Sequence, residues 1–391
     1  MDIVEVKQRV CDVIDGQSDL LLEVSHRIHE DPELAFAEHA AHDLLTEVLR
    51  DGGLQVTPGA YGLPTAFEAT AGSTGPRVAV LCEYDALPGI GHACGHNIIA
   101  AAGLGAGLAA SALAEAAGGR LVVLGSPAEE GGGGKVNLID GGAFDGVDAA
   151  VMVHPAGRDL RRMHAIAIHQ VEVTYHGAAA HAAAAPWKGR NALDAAVLGY
   201  NNLAALRQHL RPDERVHGIF TEGGDRPNIV PARAATHWYV RAGTRERLVA
   251  LEARVLACLQ AGADAAGCTM DAVWLDPAYD EMRDNAALGD LYAANAFALG
   301  RNVVEPKSDT AVMGSTDMGN VSQVVPSIHP MIAVSPPDIA IHTPAFATFA
   351  GGPDGDRAVL DGAKALAMTV VDVWMDPDAL ALVRAGFGTP S

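Results

Sequence analysis

Three short apolar runs constrain the fold of this chain more than any other feature of its sequence. They span 77–82, 120–124 and 149–153, and an alanine-rich helical stretch separates the first from the second. Strand, helix and strand in this order predict a parallel sheet with helical crossovers. Polar residues such as Asp85 and His154 follow the runs. Because ligands of open α/β sheets bind at the carboxyl ends of the strands, we expect a site there.

Helical spacing of apolar residues marks both ends of the chain. Residues 18–50 predict two amphipathic helices, with Pro32 at the start of the second. Residues 356–374 predict one long helix.

The pattern changes between these ends to strand, helix, strand, strand, helix and strand. The predicted segments are 168–175, 191–209, 216–222, 234–241, 246–261 and 268–274. This order is typical of the ferredoxin-like fold. We therefore predict an α/β domain with a mostly parallel sheet, formed by residues 1–166 and 280–391. An inserted α+β domain of residues 167–279 interrupts it.

The amino-acid composition argues against a nucleic-acid-binding protein and against a disordered chain. The 391 residues include 27 basic and 48 acidic ones, so the formal net charge is −21. Nucleic-acid binding is not expected, because phosphate contacts need a basic surface. Apolar residues form 49% of the chain and charged residues 19%, which favours a folded core over disorder. The length suggests two domains.

We expect a cytoplasmic protein that does not bind membranes. Residues 1–16 intersperse charged and apolar side chains and lack the order of a signal peptide. The longest uncharged run, 97–114, is rich in Ala and Gly and is predicted to be a buried helix. Five scattered cysteines make a disulfide framework improbable and fit a reducing compartment.

Two glycine-rich stretches resemble nucleotide-binding loops but do not match them. The phosphate-loop pattern needs glycine in place of Glu129 and Ser or Thr in place of Val136. The stretch 103–107 has Leu108 where a dinucleotide fingerprint has its third glycine. Small residues at 103–107 instead favour close helix packing.

The segment 91–97 is the first indication of a metal site. Cys94 and His96 precede a predicted helix, and a thiolate and an imidazole two residues apart can face one ion. The alternative is that Cys94 is a small buried apolar residue and His96 a helix cap.

Glu129 and Glu130 stand together at a predicted strand end. Either both are solvated loop acids, or one binds a cation. In the second case the neighbouring carboxylate is placed to accept a proton from a water molecule that the cation acidifies.

His154 and His342 are further candidates. His154 follows the apolar run 149–153, and His342 follows a proline-containing turn. Taken alone, each is better explained as a hydrogen-bonded core histidine. Their positions at a strand end and in a loop favour a site.

The order of five motifs resembles the dinuclear metallopeptidases of the aminoacylase and carboxypeptidase G group. The motifs are Asp85-Ala86-Leu87-Pro88, His92-Ala93-Cys94-Gly95-His96, Pro127-Ala128-Glu129-Glu130-Gly131, Asn228-Ile229-Val230-Pro231 and His342-Thr343-Pro344. The chain is most similar to the amidohydrolase branch of auxin-conjugate and hippurate hydrolases. The segments 181–195 and 314–322 resemble the B component of aminobenzoyl-glutamate hydrolase and the β-alanyl-dipeptide hydrolases.

This resemblance implies a zinc-peptidase-like catalytic domain with an inserted lid and dimerisation domain. It also implies two divalent ions bridged by Cys94. One ion is completed by His96 and His154, and the other by Glu130 and His342.

The same resemblance implies roles for residues outside the ligand set. Glu129 is the expected general base, and Asp85 orients a ligand. His181 of the inserted domain stabilises the developing oxyanion, often in a neighbouring subunit of a homodimer. The expected substrate contacts are Asn228, Arg241, Ser315 and Thr316.

The chain departs from the family pattern at two positions. Glu83 stands where the wider superfamily has the histidine of its His-x-Asp motif, so the imidazole is expected from His96. Asn97 replaces an aspartate. Thiolate ligation favours zinc, although relatives also use manganese or cobalt.

The function implied is metal-dependent hydrolysis of an amide in a small N-acyl or aryl-acyl amino acid or an unusual dipeptide. Two alternatives remain open at this point. The same site could remove an amine hydrolytically from an aromatic ring, or the chain could be a non-catalytic metal-binding partner subunit.

Overall fold

The computed structural model describes residues 1–306 and 313–387. The chain divides into two compact units. One consists of Met1–His164 with Met282–Ser391, and the other of Ala165–Glu281.

The amino-terminal stretch contains six α-helices, a 3-10 turn and seven strands. The helices are α1 (Ile3–Gly16), α2 (Ser18–Glu30), α3 (His39–Asp51), α4 (His96–Ser111), α5 (Ala114–Ala117) and α6 (Gly134–Asp140). The strands are β1 (Gln55–Pro58), β2 (Phe67–Ala71), β3 (Arg77–Glu83), β4 (Arg120–Ser126), β5 (Ala149–Val151), β6 (His154–Ala156) and β7 (His164–Ala165). The 3-10 turn is Ala60–Gly62.

The second unit follows the strand and helix order predicted for the insertion. Its elements are β8 (Ala167–His176), a 3-10 turn (Pro186–Lys188), α7 (Ala192–Arg207), β9 (Arg215–Glu222), β10 (Arg233–Ala242), α8 (Arg245–Ala265) and β11 (Thr269–Tyr279). The strands form an antiparallel sheet in the order β11-β8-β10-β9. The predicted ferredoxin-like pattern is therefore confirmed.

Alternation along β10 explains the core of this unit. Every second residue is buried, including Trp238 and Val240. These side chains pack with α7 and α8. Asn191 and Thr244 cap the two helices through side-chain oxygens that accept backbone N–H groups.

The carboxyl-terminal stretch returns to the first unit. Its elements are α9 (Ala286–Ala298), β12 (Met313–Gly314), α10 (Met318–Val324), β13 (Ser327–Ile328), β14 (Met331–Ala333), α11 (Pro344–Ala350), α12 (Pro353–Met375) and α13 (Pro377–Ala385).

The main sheet of the first unit has the order β1-β2-β4-β3-β5-β13. The four strands from β4 to β13 run parallel, whereas β1 and β2 are antiparallel additions at one edge. The predicted α/β class with a mostly parallel sheet is confirmed. A parallel arrangement brings the carboxyl ends of β3, β4 and β5 to one edge of the sheet.

The alanine-rich helix α4 lies at the centre of this unit. Every residue from His96 to Ala110 is buried. The helix packs on β3, and α1, α2 and α12 also pack against it. A Cβ atom at Gly103 would lie 2.5 Å from the carbonyl oxygen of Leu81, so glycine permits this close approach. In the described part of the chain, no helix combines the length and apolar character needed to cross a membrane.

One helix boundary differs from the sequence prediction. The second amphipathic helix begins at His39 and not at Pro32. The carboxylate of Glu33 accepts hydrogen bonds from the N–H groups of Ala40 and Ala41, while its carbonyl accepts one from Ala86. Residues 31–38 therefore form a loop that caps α3 and contacts the strand-end region.

Candidate metal centre

The segment between β3 and α4 places Cys94 and His96. Gly95 lies between them with φ +78°, and a Cβ atom there would come within 2.8 Å of Pro155 Cγ. Only glycine accepts both conditions without strain. His342 also has a left-handed backbone, at φ 62°, and its N–H donates to the carbonyl of Ala93. This hydrogen bond ties the loop of His342 to the cysteine segment.

Cys94 lies between two histidines from distant parts of the chain. Its Sγ atom is 3.4 Å from His154 Nε2 and 3.3 Å from His342 Nε2. A sulfur and a nitrogen bound tetrahedrally to one zinc ion are about 3.6 Å apart. Both separations are therefore close to those of atoms that share an ion.

Asp85 fixes the orientation of His96. The carbonyl and carboxylate oxygens of Asp85 lie 2.8 Å and 3.1 Å from His96 Nδ1. Both are acceptors, so Nδ1 carries the proton. The other ring nitrogen, Nε2, is buried and has no hydrogen-bond partner. A carboxylate behind an imidazole is a common support for a metal ligand.

Glu130 completes the cluster. Its backbone N–H donates to the second carboxylate oxygen of Asp85 at 2.9 Å. Its Oε1 atom lies 3.5 Å from His342 Nε2 and 3.8 Å from His96 Nε2. That oxygen is also buried without a hydrogen-bond partner.

Divalent cations fit this arrangement. Two groups of residues each have donor atoms that lie within 4.8 Å of one another. The first group is Cys94, His96 and His154, and the second is Cys94, Glu130 and His342. Thiolate, imidazole and carboxylate are the donors that zinc binds in proteins. The unpartnered atoms of His96 and Glu130 would each gain a partner from an ion.

Burial and neighbouring charges shift the pKa values of His154, His96 and Cys94 in different directions. Burial lowers the pKa of His154 to about 4, which keeps its imidazole neutral and able to bind metal. Burial alone would lower the pKa of His96, but Glu83 and Cys94 outweigh it and raise that pKa well above its usual value. Burial raises the pKa of the Cys94 thiol, although His96 opposes this effect.

Glu129 lies beside the cluster with 9% of its surface exposed. One of its carboxylate oxygens forms a third donor group with Glu83 and His96. Burial raises the pKa of Glu129 well above its usual value, and Glu83 and Asp317 add to the effect. A carboxylate with raised proton affinity is suited to accept a proton.

The inserted unit brings His181 close to the segment of Asn228. Residues His181 and Ile229 pair as an antiparallel bridge, and the N–H of Ala182 donates to the carbonyl of Asn228. His181 Nδ1 accepts the N–H groups of Ala183 and Ala184, so its exposed ring carries a proton on Nε2 when neutral.

Arg241 is not brought to that segment. Arg241 pairs with Ile168, whereas Arg233, eight residues earlier on β10, pairs with His176. Eight residues of strand span about 26 Å. The loop of His181 follows His176, at the opposite end of this strand pair.

Ser315 and Thr316 lie in the loop just before α10. Thr316 is buried, and its hydroxyl accepts the N–H of Met318. Ser315 is half-buried. The next residue, Asp317, binds Lys135 and so connects this loop to the cluster.

The sequence does not reveal the role of three charged residues behind the cluster. The structure shows a fully buried network of Glu83, Lys135 and Asp317. In the sequence, Lys135 stands out only as part of a glycine-rich stretch that does not match a phosphate loop. The available signal is a single lysine after four glycines, next to a predicted site. Its partners lie 52 and 182 residues away in sequence, so no local pattern indicates them.

Comparison with known proteins decides the family. The model of peptidase family M20/M25/M40 matches residues 79–370. A Xaa-Arg dipeptidase of Mus musculus is 42% identical over 98% of this chain and 92% of its own length. The chain belongs to peptidase family M20/M25/M40. This member of the M20 family is therefore a metal-dependent hydrolase that acts on amide bonds of small substrates.

Further relatives agree with this family. The B component of p-aminobenzoyl-glutamate hydrolase from Escherichia coli strain K12 is 34% identical, over 61% of this chain and 54% of its own. The crystal structure of a dinuclear metal-binding M20 peptidase from Bacillus subtilis shares the fold, with a TM-score of 0.72 and 19% identity. That superposition covers 92% of this chain and 99% of the other.

Proposed function

We propose that this M20-family protein hydrolyses the amide bond of a small N-acyl or aryl-acyl amino acid or an unusual dipeptide with two divalent ions. Cys94 would be shared by the two ions, His96 and His154 would hold one of them, and Glu130 and His342 would hold the other. The position of Cys94 Sγ between His154 Nε2 and His342 Nε2, at 3.4 Å and 3.3 Å, carries the proposal. A shared thiolate is the simplest reason for two histidines to converge on one sulfur.

The chemistry of the proposed reaction is divided between the ions and the protein. Divalent ions in such a site supply Lewis-acid activation of a water molecule and of the amide carbonyl. Glu129 accepts the proton of the attacking water and donates it to the leaving nitrogen. Asp85 holds the ring of His96 in its ligating orientation.

Residues beyond the cluster bind the substrate in this proposal. The protonated Nε2 of His181 donates to the developing oxyanion, either in its own subunit or in a neighbouring one. Asn228 contacts the substrate carbonyl, and Ser315 and Thr316 line the pocket. Arg241 would contact a substrate carboxylate; it lies at the end of β10 opposite to the segment of His181.

We further propose a cytoplasmic homodimer that assembles through the inserted unit. The edge strand β9 exposes Ile219 and Phe220, which are 63% and 41% accessible. Exposed apolar side chains on a sheet edge favour pairing with a second copy. Light scattering of the purified chain tests the dimer, and Ile219→Lys should shift it to a monomer. A wild-type monomer would contradict the proposal.

Zinc is the proposed metal, because a thiolate is a soft donor, and manganese or cobalt are the alternatives. The experiment is a hydrolysis assay of the purified chain loaded with Zn²⁺ or Mn²⁺. The substrate panel contains Xaa-Arg dipeptides, β-alanyl-lysine, aminobenzoyl-glutamate, hippurate and acetylated amino acids. Xaa-Arg dipeptides are included because the mouse relative is named for them.

The expected result is release of a free amino acid from at least one amide, abolished by a chelator and restored by metal. Ammonia released from an aryl amine, without amide cleavage, would instead indicate deamination. Inactivity of the loaded chain on the whole panel would favour a partner subunit and contradict the proposal.

A further inference from the structure

A buried three-residue charge network lies directly behind the candidate metal centre. Lys135 Nζ contacts Glu83 Oε2 and lies 2.7 Å from Asp317 Oδ1, and the three side chains have no exposed surface. The backbone N–H of Lys135 also donates to the second oxygen of Asp317 at 2.9 Å. Both oxygens of Asp317 are thus bound within the network.

The network leaves one negative charge without compensation. Two carboxylates face a single ammonium, and removing an ion from water without a counter-ion is strongly unfavourable. The remaining oxygen of Glu83, Oε1, is buried and has no hydrogen-bond partner. The excess charge therefore points away from Lys135.

Glu83 Oε1 faces His96 Nε2 at 3.0 Å. Neither atom makes a hydrogen bond, although the distance would allow one. Two such atoms repel each other unless a positive species lies nearby. A proton would require the N–H to point at the oxygen, whereas two ligands of one ion each point at the ion and not at each other. Two donors that share a zinc ion are about 3 to 3.4 Å apart.

We propose that Glu83 is a further metal-binding residue, which contacts the cation held by His96, and that Lys135 is the positioning residue that fixes its carboxylate. The inference rests on the proposed metal site. Glu83, His96 and Glu129 each have one donor atom within 4.8 Å of the other two. Glu83 is also nearer to His96 Nε2 than Glu130 is, at 3.0 Å against 3.8 Å.

Lys135 explains how the carboxylate keeps this orientation. Glu83 is the last residue of β3, and Lys135 lies in the first turn of α6, so the ion pair joins the strand end to the glycine-rich loop. Asp317 holds the ammonium from the other side. The ligand is therefore fixed before a cation arrives, which reduces the entropy lost on binding.

The test measures metal binding, with no activity assay. Wild type, Glu83→Gln and Asp317→Asn are equilibrated with buffered free Zn²⁺, and bound metal is counted by elemental analysis. Each variant removes one carboxylate charge from Lys135 and leaves it the other partner, so they are matched in charge. Only Glu83→Gln also removes a donor that faces His96.

We expect Glu83→Gln to weaken one of the two zinc sites by about 10- to 100-fold or more, and Asp317→Asn to change neither site by more than about threefold. Glu83→Asp, which keeps the charge but shortens the side chain, should weaken the same site. Glu83→Asp therefore tests whether the length of the side chain matters when its charge is kept. Thermal unfolding in the presence of chelator shows whether each variant is folded.

Two results are distinguishable. A wild-type chain that binds no stoichiometric metal overturns the proposed function itself. A wild-type chain with two ions, together with equal affinities in Glu83→Gln and Asp317→Asn, leaves that function intact and overturns the role of Glu83.

Discussion

His154 Nε2 lies 3.4 Å from Cys94 Sγ, across 60 residues of sequence. The cysteine lies two residues before the buried helix α4, and the histidine begins β6, just beyond the parallel strand β5. Cys94 follows β3 and His154 follows β5, and the carboxyl ends of these two neighbouring parallel strands lie at the same edge of the main sheet. His342, from a loop more than 180 residues further on, reaches the same sulfur from the other side.

The shared position of Cys94 predicts that both ions depend on it. Cys94→Ser should reduce bound zinc from two ions per chain to fewer than one, because each group of donors loses a member. Elemental analysis after dialysis measures this. Cys82→Ala removes another buried thiol, one that belongs to no donor group, and should keep both ions. Two ions in Cys94→Ser would exclude a bridging thiolate.

Glu129 should be needed for turnover but not for metal. Glu129→Gln keeps the shape of the side chain and removes its basicity, so we expect kcat to fall by about 10²- to 10⁴-fold with zinc retained. Glu130→Gln is the matched comparison and should lose zinc affinity. Steady-state kinetics and metal content are measured on both. Loss of zinc in Glu129→Gln alone would identify that residue as a ligand instead.

Gly95 should be required both for stability and for the geometry of the centre. Gly95→Ala adds a Cβ atom 2.8 Å from Pro155 Cγ at a residue with φ +78°. Gly118→Ala has a similar φ of +69° but no atom within 4 Å of the new Cβ. We expect Gly118→Ala to lower the free energy of unfolding by about 1 kcal/mol and Gly95→Ala by more, with loss of zinc only in the latter. Urea unfolding and metal analysis test this, and equal effects would refute the steric explanation.

Asp284 should make stability depend on pH. Burial raises its pKa to about 7, with Arg162 and Arg161 opposing. The folded chain then holds this proton more tightly than the unfolded chain, whose aspartate has an ordinary pKa near 3.9. The free energy of unfolding should therefore fall as pH rises from about 4 to about 7, by up to about 1.4 kcal/mol per pH unit from this group.

Asp284→Asn removes that titration and should flatten the profile over this range. Asp12→Asn changes an exposed carboxyl on α1 and should leave the profile as in wild type. Urea unfolding at several pH values, in the presence of chelator, compares the three chains. Identical slopes in wild type and Asp284→Asn would contradict the assignment.

Local patterns predicted much of the fold. Period-two and period-3.6 spacing located the strand now seen at Arg77–Glu83 and the long helix at Pro353–Met375 within a few residues. The predicted start of α3 at Pro32 was wrong. Glu33 lies in a loop, because its carboxylate accepts N–H groups of α3 and its carbonyl accepts the N–H of Ala86, next to Asp85. The conformation of Glu33 depends in part on its contact with Ala86, which is too far away in sequence for a local pattern to indicate it.

The sequence by itself determined which side chains could bind a cation and where strands would end. It did so because donor chemistry and hydrophobic periodicity are local properties. Only the tertiary structure decided that Glu83 faces His96 while Lys135, which Asp317 holds from the other side, pairs with its second oxygen. The reason is physical: the energy of a buried charge depends on every neighbour within a few ångströms, and these neighbours come from distant parts of the chain.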